Sequence, residues 1–324
     1  MVTGVGLFSG GLDSILAVKV LRDQGIDIIG LTFVTPFFGA ERAIQVAGPL
    51  HMEHRVEDIT EEHLEMVRHP RHGYGRNMNP CIDCHALMFR KAGALMEHER
   101  ADFLFSGEVL GERPMSQNKG SLVRVARESG YEEVILRPLS AKLLPMTRPE
   151  RQGKVDRSRL LDLKGRGRKR QMELAAHYGL TDYPSPAGGC LLTDPIFSRR
   201  LRDLLDANGS VTREDLELLK IGRHLRLNEE FKLIVGRHQE DNEQIRRLYR
   251  ERDLLLDVKE HPSPLGLLPA AAPEDVIQLA ASVVLRYSDA PGDETCAVEL
   301  YDGRRKWEIQ AQACSPETTA GLMI

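Results

Sequence analysis

The ten residues Val5 to Ser14, VGLFSGGLDS, limit what this chain can fold into more than any other stretch. The apolar run Val5–Phe8 has the length and residue types of a buried strand. It runs into Ser9, Gly10, Gly11, Leu12, Asp13 and Ser14. An amphipathic pattern then starts at Ile15 and continues through Leu16, Val18, Val20 and Leu21 to a stop at Gly25. The glycine pair therefore sits in a turn between a strand and a helix. Two adjacent glycines admit a positive φ and let a ligand approach the backbone. The helix behind them offers unpaired N–H groups and the positive end of its dipole. Ser9 and Ser14 add hydroxyls. The arrangement predicts an anion cradle at a strand end.

The strand–helix order recurs downstream. Ile28–Phe33 is a second apolar run, a helical segment follows at Glu41–Ala47, and a short strand is expected near His54–Val56. A helix from His85 to Glu99 leads to a strand at Phe103–Phe105, and Val134–Pro138 reads as one more. Alternating strands and helices predict a parallel sheet with helices on both faces, with ligands at the carboxyl ends of the strands. Beyond it, residues 196–220 and 240–253 read as helical. Strands are expected at Phe231–Val235, Val283–Tyr287, Cys296–Tyr301 and Trp307–Gln312. The expected division is a nucleotide-binding domain at 1–175, a helical linker at 176–222, and a smaller α+β domain at 223–324.

With 324 residues, two domains are a natural expectation. No apolar stretch approaches the ~20 residues that span a bilayer. The N-terminus has no signal-peptide pattern, which predicts a cytoplasmic protein with reduced thiols and no membrane partner. A net charge of −4 argues neither for nor against nucleic acid. The distribution says more. Between Arg151 and Arg170 nine Lys or Arg stand against two Asp. Lys164, Arg166, Arg168, Lys169 and Arg170, spaced by glycines, read as a flexible segment making RNA phosphate contacts.

The five cysteines are Cys81 and Cys84 in a C-x-x-C, then Cys190, Cys296 and Cys314. Cys296 and Cys314 read as small buried hydrophobes. Cys81, Cys84 and Cys190 can converge on one centre, and four chemistries compete for it. These are structural zinc with His85 or another residue as fourth ligand, a redox dithiol, a persulfide-carrying pair, and an iron–sulfur cluster with one open iron. His51, His54, His69 and His72 lack a clean ligand spacing and are expected on the surface or in loops, His69 and His72 as candidates for RNA contact.

The block Ser9-Gly-Gly-Leu-Asp-Ser14 resembles the PP-loop of the ATP pyrophosphatases, and the Gly-Lys-Ser/Thr of a Walker A loop is absent. With Gly107-Glu-x-Leu-Gly111, Ser116-Gln117 and Arg137-Pro138-Leu139, residues 5–145 are similar to the catalytic domain of ThiI-type tRNA 4-thiouridine synthetases. The C-x-x-C with a distant third cysteine resembles the iron–sulfur subclass of tRNA thiolation enzymes.

The resemblance implies a Rossmann-like fold of the adenine nucleotide alpha hydrolase kind. It implies ATP and Mg²⁺ as cofactors, with contacts from Phe8, Ser9, Gly10, Gly11, Asp13, Ser14, Thr32, Gly107, Glu108 and Gln117. It also implies a 4Fe–4S cluster on Cys81, Cys84 and Cys190, which together with Asp13 would carry the chemistry. The implied reaction adenylates a uridine carbonyl of tRNA and then transfers sulfur, supplied by sulfide or a cysteine desulfurase. A homodimer is among the expected assemblies. Two alternatives stand beside it: cluster-free thiolation through a Cys84/Cys190 persulfide pair, and a PP-loop ligase for a small metabolite with structural zinc. ThiI-type enzymes carry a THUMP domain, and this chain starts directly at the loop; a rhodanese-like domain is absent too. Phe231-Lys-Leu-Ile-Val-Gly-Arg237-His-Gln-Glu-Asp-Asn242 is similar to the strand-and-turn signature of the NFACT-R domain. That implies a substitute RNA-holding module with Arg237 at its surface.

Overall fold

The computed structural model describes residues 1–183, 189–207 and 209–324. They form two units, Met1–Thr193 and Asp194–Ile324. The boundary places Cys190 in the first unit, within the stretch expected as linker.

The first unit runs β1 (Thr3–Leu7), α1 (Leu12–Arg22), β2 (Asp27–Val34), α2 (Glu41–Ala47), β3 (Glu53–Asp58), α3 (Thr60–Arg68), α4 (Cys81–His98), β4 (Phe103–Ser106), α5 (Lys119–Ser129), β5 (Ile135–Leu136), α6 (Arg148–Arg151) and α7 (Lys169–His177). Its sheet has the order β3-β2-β1-β4-β5, and every pairing is parallel. Val5 of β1 lies opposite Ile29 on one side and Leu104 on the other. From β1 the chain winds outward through β2 and β3, then crosses back to β4. The strand order therefore reverses between β1 and β4, and a crevice opens at their carboxyl ends. Ser9–Ser14 and Gly107 occupy that position. The strands are apolar on both faces because helices cover both: Val5, Leu31, Phe103, Leu104 and Leu136 are all buried, as are Leu12, Ile15, Leu16 and Phe89 of the helices. The predicted α/β architecture with helices on both faces is the observed one.

The second unit runs α8 (Pro195–Asp206), α9 (Arg213–Leu218), β6 (Arg223–Arg226), β7 (Lys232–Val235), α10 (Gln239–Leu248), β8 (Asp253–Val258), β9 (Gly266–Pro269), α11 (Glu274–Arg286), β10 (Thr295–Tyr301), β11 (Lys306–Gln312) and α12 (Pro316–Leu322). Six strands form an antiparallel sheet of order β11-β10-β8-β9-β7-β6. Alternate residues face opposite ways. Leu254, Leu256, Val298 and Leu300 pack with Val276, Ala280 and Val284 of α11, whereas Leu255 and Ile234 pack with Leu218 and Ile245 of α9 and α10.

Three sequence expectations are corrected here. Val283–Tyr287 is not a strand. Its apolar run belongs to α11, whose buried Val276, Ala280, Val284 and Val283 repeat at helical spacing. The helix expected over 196–220 is two helices, Pro195–Asp206 and Arg213–Leu218, with Thr212 capping the second through a reciprocal bond with Asp215. The helix expected over 240–253 ends at Leu248, and Asp253 starts β8. Cys296 is buried and Cys314 half-buried, with burial raising the Cys314 thiol. Among the described residues no helix is long and apolar enough to cross a membrane.

Candidate active site

The loop after β1 is held from below and left open above. Phe8 donates its N–H to the Leu31 carbonyl at 2.9 Å, and its own carbonyl accepts from the Thr32 hydroxyl. Thr32 also meets His54 Nε2 at 2.8 Å. The Thr32 hydroxyl thus spends its donor and one lone pair inside the protein, where it sets the strand end. Gly10 has φ +71°, and a Cβ there would stand 2.8 Å from the Arg42 carbonyl carbon and the Ala43 nitrogen. Only glycine fits between the loop and the first turn of α2. The Ser14 hydroxyl donates to the Gly11 carbonyl at 2.8 Å, and Gly11 N–H reaches Ser9 Oγ at 3.3 Å. No side chain caps α1. Its first-turn N–H groups and dipole therefore remain available to an anion.

Asp13 is in that first turn and does not cap it. Its Oδ1 is buried with no hydrogen-bond partner among the described residues. Burial raises the carboxyl above its ordinary value, opposed by Arg168, Gln171 and Arg113. Arg168 Nε and Arg42 Nε are likewise buried and unpartnered, and the Gln171 amide nitrogen stands beside Asp13 outside hydrogen-bond geometry. The far end of the Arg42 guanidinium is held by Asp182, at 3.1 Å to the carboxylate and 2.8 Å to the carbonyl. The unpaired Asp13 oxygen, the Arg168 Nε and an open helix terminus complement a polyphosphate carrying a divalent cation. These residues fit ATP with Mg²⁺.

Gly107, at the end of β4, closes the cradle from the other side. A Cβ on it would lie 2.5 Å from the Asp13 carbonyl carbon and the Ser14 nitrogen. Glu108 next to it is buried and fully engaged: Arg137 Nε at 2.9 Å, His85 Nδ1 at 2.8 Å and the Ser106 hydroxyl at 3.0 Å. Burial pushes its carboxyl up, but Arg137 and His85 outweigh that and hold it at about 2. Glu108 thereby ties β5 and α4 to the end of β4. Gln117 does similar work in the next loop. Its Oε1 accepts from Arg113 N–H at 3.1 Å and its carbonyl from Gly111 N–H at 2.7 Å, and Ser116 is buried beside it. Thr32, Glu108 and Gln117, expected to touch nucleotide, thus spend these side-chain groups on the site's walls.

Cys81 and Cys84 occupy the first turn of α4, not the loop before it. That turn is fixed by Asp83, which accepts from His72 N–H at 2.9 Å and meets His72 Nδ1 at 2.7 Å. His72, a candidate for RNA contact, is therefore a brace for the helix start. Asn79 Nδ2 donates to Cys81 Sγ at 3.4 Å. Cys190 arrives from the far end of the unit. Leu191 N–H donates to the Phe37 carbonyl at 2.9 Å, and Asn77 Nδ2 to the Thr193 carbonyl at 2.6 Å. The proline-rich approach to Cys190, at 184–188, lies outside the described residues.

The three thiols stand close enough to act on one another. Burial raises the Cys84 thiol well above its ordinary range, and Cys190, Cys81 and Asp83 push it further. Cys190 is raised to about 11, by burial first and by Cys81, with Arg113 opposing. Arg113 is thus within electrostatic reach of both Cys190 and Asp13.

Sequence spacing gave no sign of His63. It is buried on α3 between Phe37 and Phe38, with ring centroids at 5.4 and 5.3 Å, and its Nε2 lies 3.3 Å from Cys84 Sγ. Burial lowers it to about 4, so it is neutral at physiological pH. The donor set is soft, as an iron–sulfur group requires. As placed, however, no group of three or more His, Cys, Asp or Glu among the described residues is arranged to hold a metal ion.

The basic segment is not a free linker. Leu161, Leu163 and Gly165 donate their N–H groups to the carbonyls of Pro138, Leu139 and Leu110 at 2.9, 2.8 and 2.7 Å. This lays the segment along the strand ends. Arg168 faces Asp13 instead of solvent, and Arg170 pairs with Asp162 at 2.7 Å. Lys164, Arg166 and Lys169 remain exposed. In the second unit Arg237 pairs with Asp241 at 2.9 Å and is partly exposed.

Comparison with known proteins adds two partial matches. Residues 222–321 match the NFACT-R_2 family, the NFACT protein RNA binding domain. The tRNA-specific 2-thiouridylase MnmA of Syntrophomonas wolfei is 35% identical over 82 residues, 24% of this chain and 24% of that protein. Its counterpart from Pelobacter propionicus is 32% identical over 114 residues, 31% of each. The chain spans about a quarter to a third of the length of the curated relatives it matches. Among solved structures, a 4-thiouridine synthetase in complex with RNA and bound ATP aligns over 60% of this chain and 45% of that one, at 20% identity and a TM-score of 0.38. The chain thus joins a unit similar in part to the tRNA 2-thiouridylases to a segment at 222–321 that matches the NFACT-R_2 domain.

Proposed function

We propose that this chain is an ATP-dependent tRNA thiolation enzyme of the cytoplasm. One observation carries the reading: the charge of Arg113 acts on both Asp13 of the anion cradle and Cys190 of the thiol group. An adenylation site and a sulfur site in one cleft are what thiolation requires. The names of the partial relatives support the choice of tRNA.

ATP would bind with its phosphates over Ser9–Ser14 and the uncapped start of α1. Arg42 and Arg168 would take phosphate oxygens, and Asp13 would orient the magnesium ion. A uridine carbonyl oxygen attacks the α-phosphorus and pyrophosphate leaves. Sulfur delivered at the cysteines then attacks the activated carbon, and AMP departs with the oxygen. Arg113, between the two centres, balances the negative charge that passes from one to the other. The sulfur originates from sulfide or a cysteine desulfurase. Lys164, Arg166 and Lys169, exposed beside the strand ends, would position tRNA phosphates.

The finer proposal is a 4Fe–4S cluster on Cys81, Cys84 and Cys190, which when bound would supply an open iron for a sulfide. A second reading drops the cluster and is favoured by the neutral His63 against Cys84. There Cys84 takes the outer sulfur of a cysteine desulfurase's persulfide, that sulfur attacks the activated carbon as AMP leaves, and Cys190 then attacks the Cys84 sulfur, releasing the thiolated base and forming a disulfide that a reductant reopens. Anaerobic purification with iron and sulfide analysis, followed by one turnover on tRNA with ATP, tests both. Iron and sulfide bound in a ratio near one supports the cluster. Thiolated tRNA without iron, with a new Cys84–Cys190 disulfide, supports the persulfide. Absence of AMP and pyrophosphate with any tRNA refutes the function.

A further inference from the structure

On the second unit, the sheet face opposite α11 is only partly roofed. Leu218 and Ile245 cover Ile234, Leu255 and Leu267, and the cover stops at Tyr249. There Tyr249 and Tyr301 stack, with ring centroids 5.9 Å apart and planes inclined by 29°. They wall a cleft of about 280 Å³ whose rim carries Arg246, Asp257, Glu299 and Lys306. The Tyr249 hydroxyl is buried with no hydrogen-bond partner among the described residues. None of the residues that line the cleft belongs to the strand-and-turn signature at 231–242 or to the site in the first unit.

We propose that this cleft binds a single unpaired RNA base. The cleft has the dimensions for one planar heterocycle, with tyrosine rings as the stacking wall. The two carboxylates accept hydrogen bonds only, so the pairing edge they suit is one that presents adjacent N–H donors. Guanine presents them at N1 and N2, whereas uracil offers one donor between two acceptors. Asp257 accepts from the Ser263 hydroxyl at 2.7 Å on Oδ1 and meets Arg246 at 3.3 Å on Oδ2, and Lys306 meets Glu299 at 2.7 Å. Both cations are about 60% exposed, and exposed pairs exchange partners at little cost. A base that takes the carboxylates frees two cations at the rim for the adjoining phosphates. The inference rests on the RNA partner proposed above and adds where, and by which base, the second unit holds it.

The test is anisotropy of the full-length protein with labelled ten-nucleotide single strands, guanine-containing or all-uracil, and with duplex RNA. Tyr301→Leu keeps an apolar contact with Tyr249 and removes the stacking ring. It is expected to weaken the guanine-containing strand by about tenfold or more and leave the duplex unchanged. Asp257→Asn with Glu299→Gln is expected to abolish the preference for guanine over uracil. It decides the question if Tyr301→Leu fails to fold. Folded variants that bind both strands as the parent does overturn the base site while tRNA-dependent AMP formation persists. A parent protein that binds neither these strands nor tRNA overturns the RNA partner itself.

Discussion

The tightest approach of a glycine to neighbouring backbone in the first unit is that of Gly107 to the start of α1, and Gly107→Ala tests it. The added Cβ would stand 2.5 Å from Asp13 C and Ser14 N. To reach an ordinary contact of 3.4 Å, the two segments must separate by about 0.9 Å. Both neighbours are backbone atoms and cannot rotate away. Gly107 is not in the left-handed region, so alanine adds no dihedral strain that would blur the result. Overpacking of this kind costs ~1–3 kcal/mol of stability. For a unit of this size that lowers Tm by roughly 2–10 °C. Displacing catalytic groups by ~1 Å costs on the order of 10²-fold in rate. Differential scanning calorimetry and a pyrophosphate-release assay with ATP and tRNA read the two effects. Gly48→Ala serves as control: φ is −58° and no atom lies within 4 Å of the added Cβ, so neither quantity should fall. A Gly107→Ala protein with parental Tm and parental rate would refute the claim that the β4 end and the α1 start form one rigid cradle.

Three further outcomes follow from the buried groups. Burial raises the Asp13 carboxyl above 3.8, so its charge costs stability once pH exceeds that value. Asp13→Asn should raise Tm at pH 7.5, match the parent below pH 3.8, and lower pyrophosphate release by about 10²-fold or more. Glu108 is held at about 2 against 4.5 ordinarily, so its contribution is present above pH 4.5 and lost as pH falls toward 2. Glu108→Gln strands Arg137 and should cost ~3–5 kcal/mol in urea unfolding at pH 7, with the gap narrowing below pH 4.5. Cys190, raised to about 11, should alkylate slowly with iodoacetamide at pH 7.5 in metal-free protein and accelerate toward pH 11, read by peptide mass spectrometry.

The cradle was legible because its signals are local. An apolar run, a glycine pair and an amphipathic run are each determined within a few residues. The spacing of Cys81, Cys84 and Cys190 left four chemistries open, and only family resemblance chose an iron–sulfur cluster among them. What stayed hidden depends on distant partners. Arg168 read as one more cation in a basic stretch because nothing local reveals that Gly165 N–H bonds the Leu110 carbonyl and turns the chain toward Asp13. His63 is a lone histidine on an amphipathic helix, and its contact with Cys84 exists only because α3 packs on α4. Val283–Tyr287 was misread because a β-branched pair outweighed the helical spacing of Val276, Ala280 and Val284 around it.

The central claim is that the cradle and the thiols serve one reaction on tRNA. Mass spectrometry of tRNA nucleosides from cells with and without this protein tests it most directly. The account predicts that one thiolated uridine disappears without the protein and returns with the parent, but not with Asp13→Asn or Cys190→Ser. An identical set of thiolated nucleosides in both cell populations would contradict it.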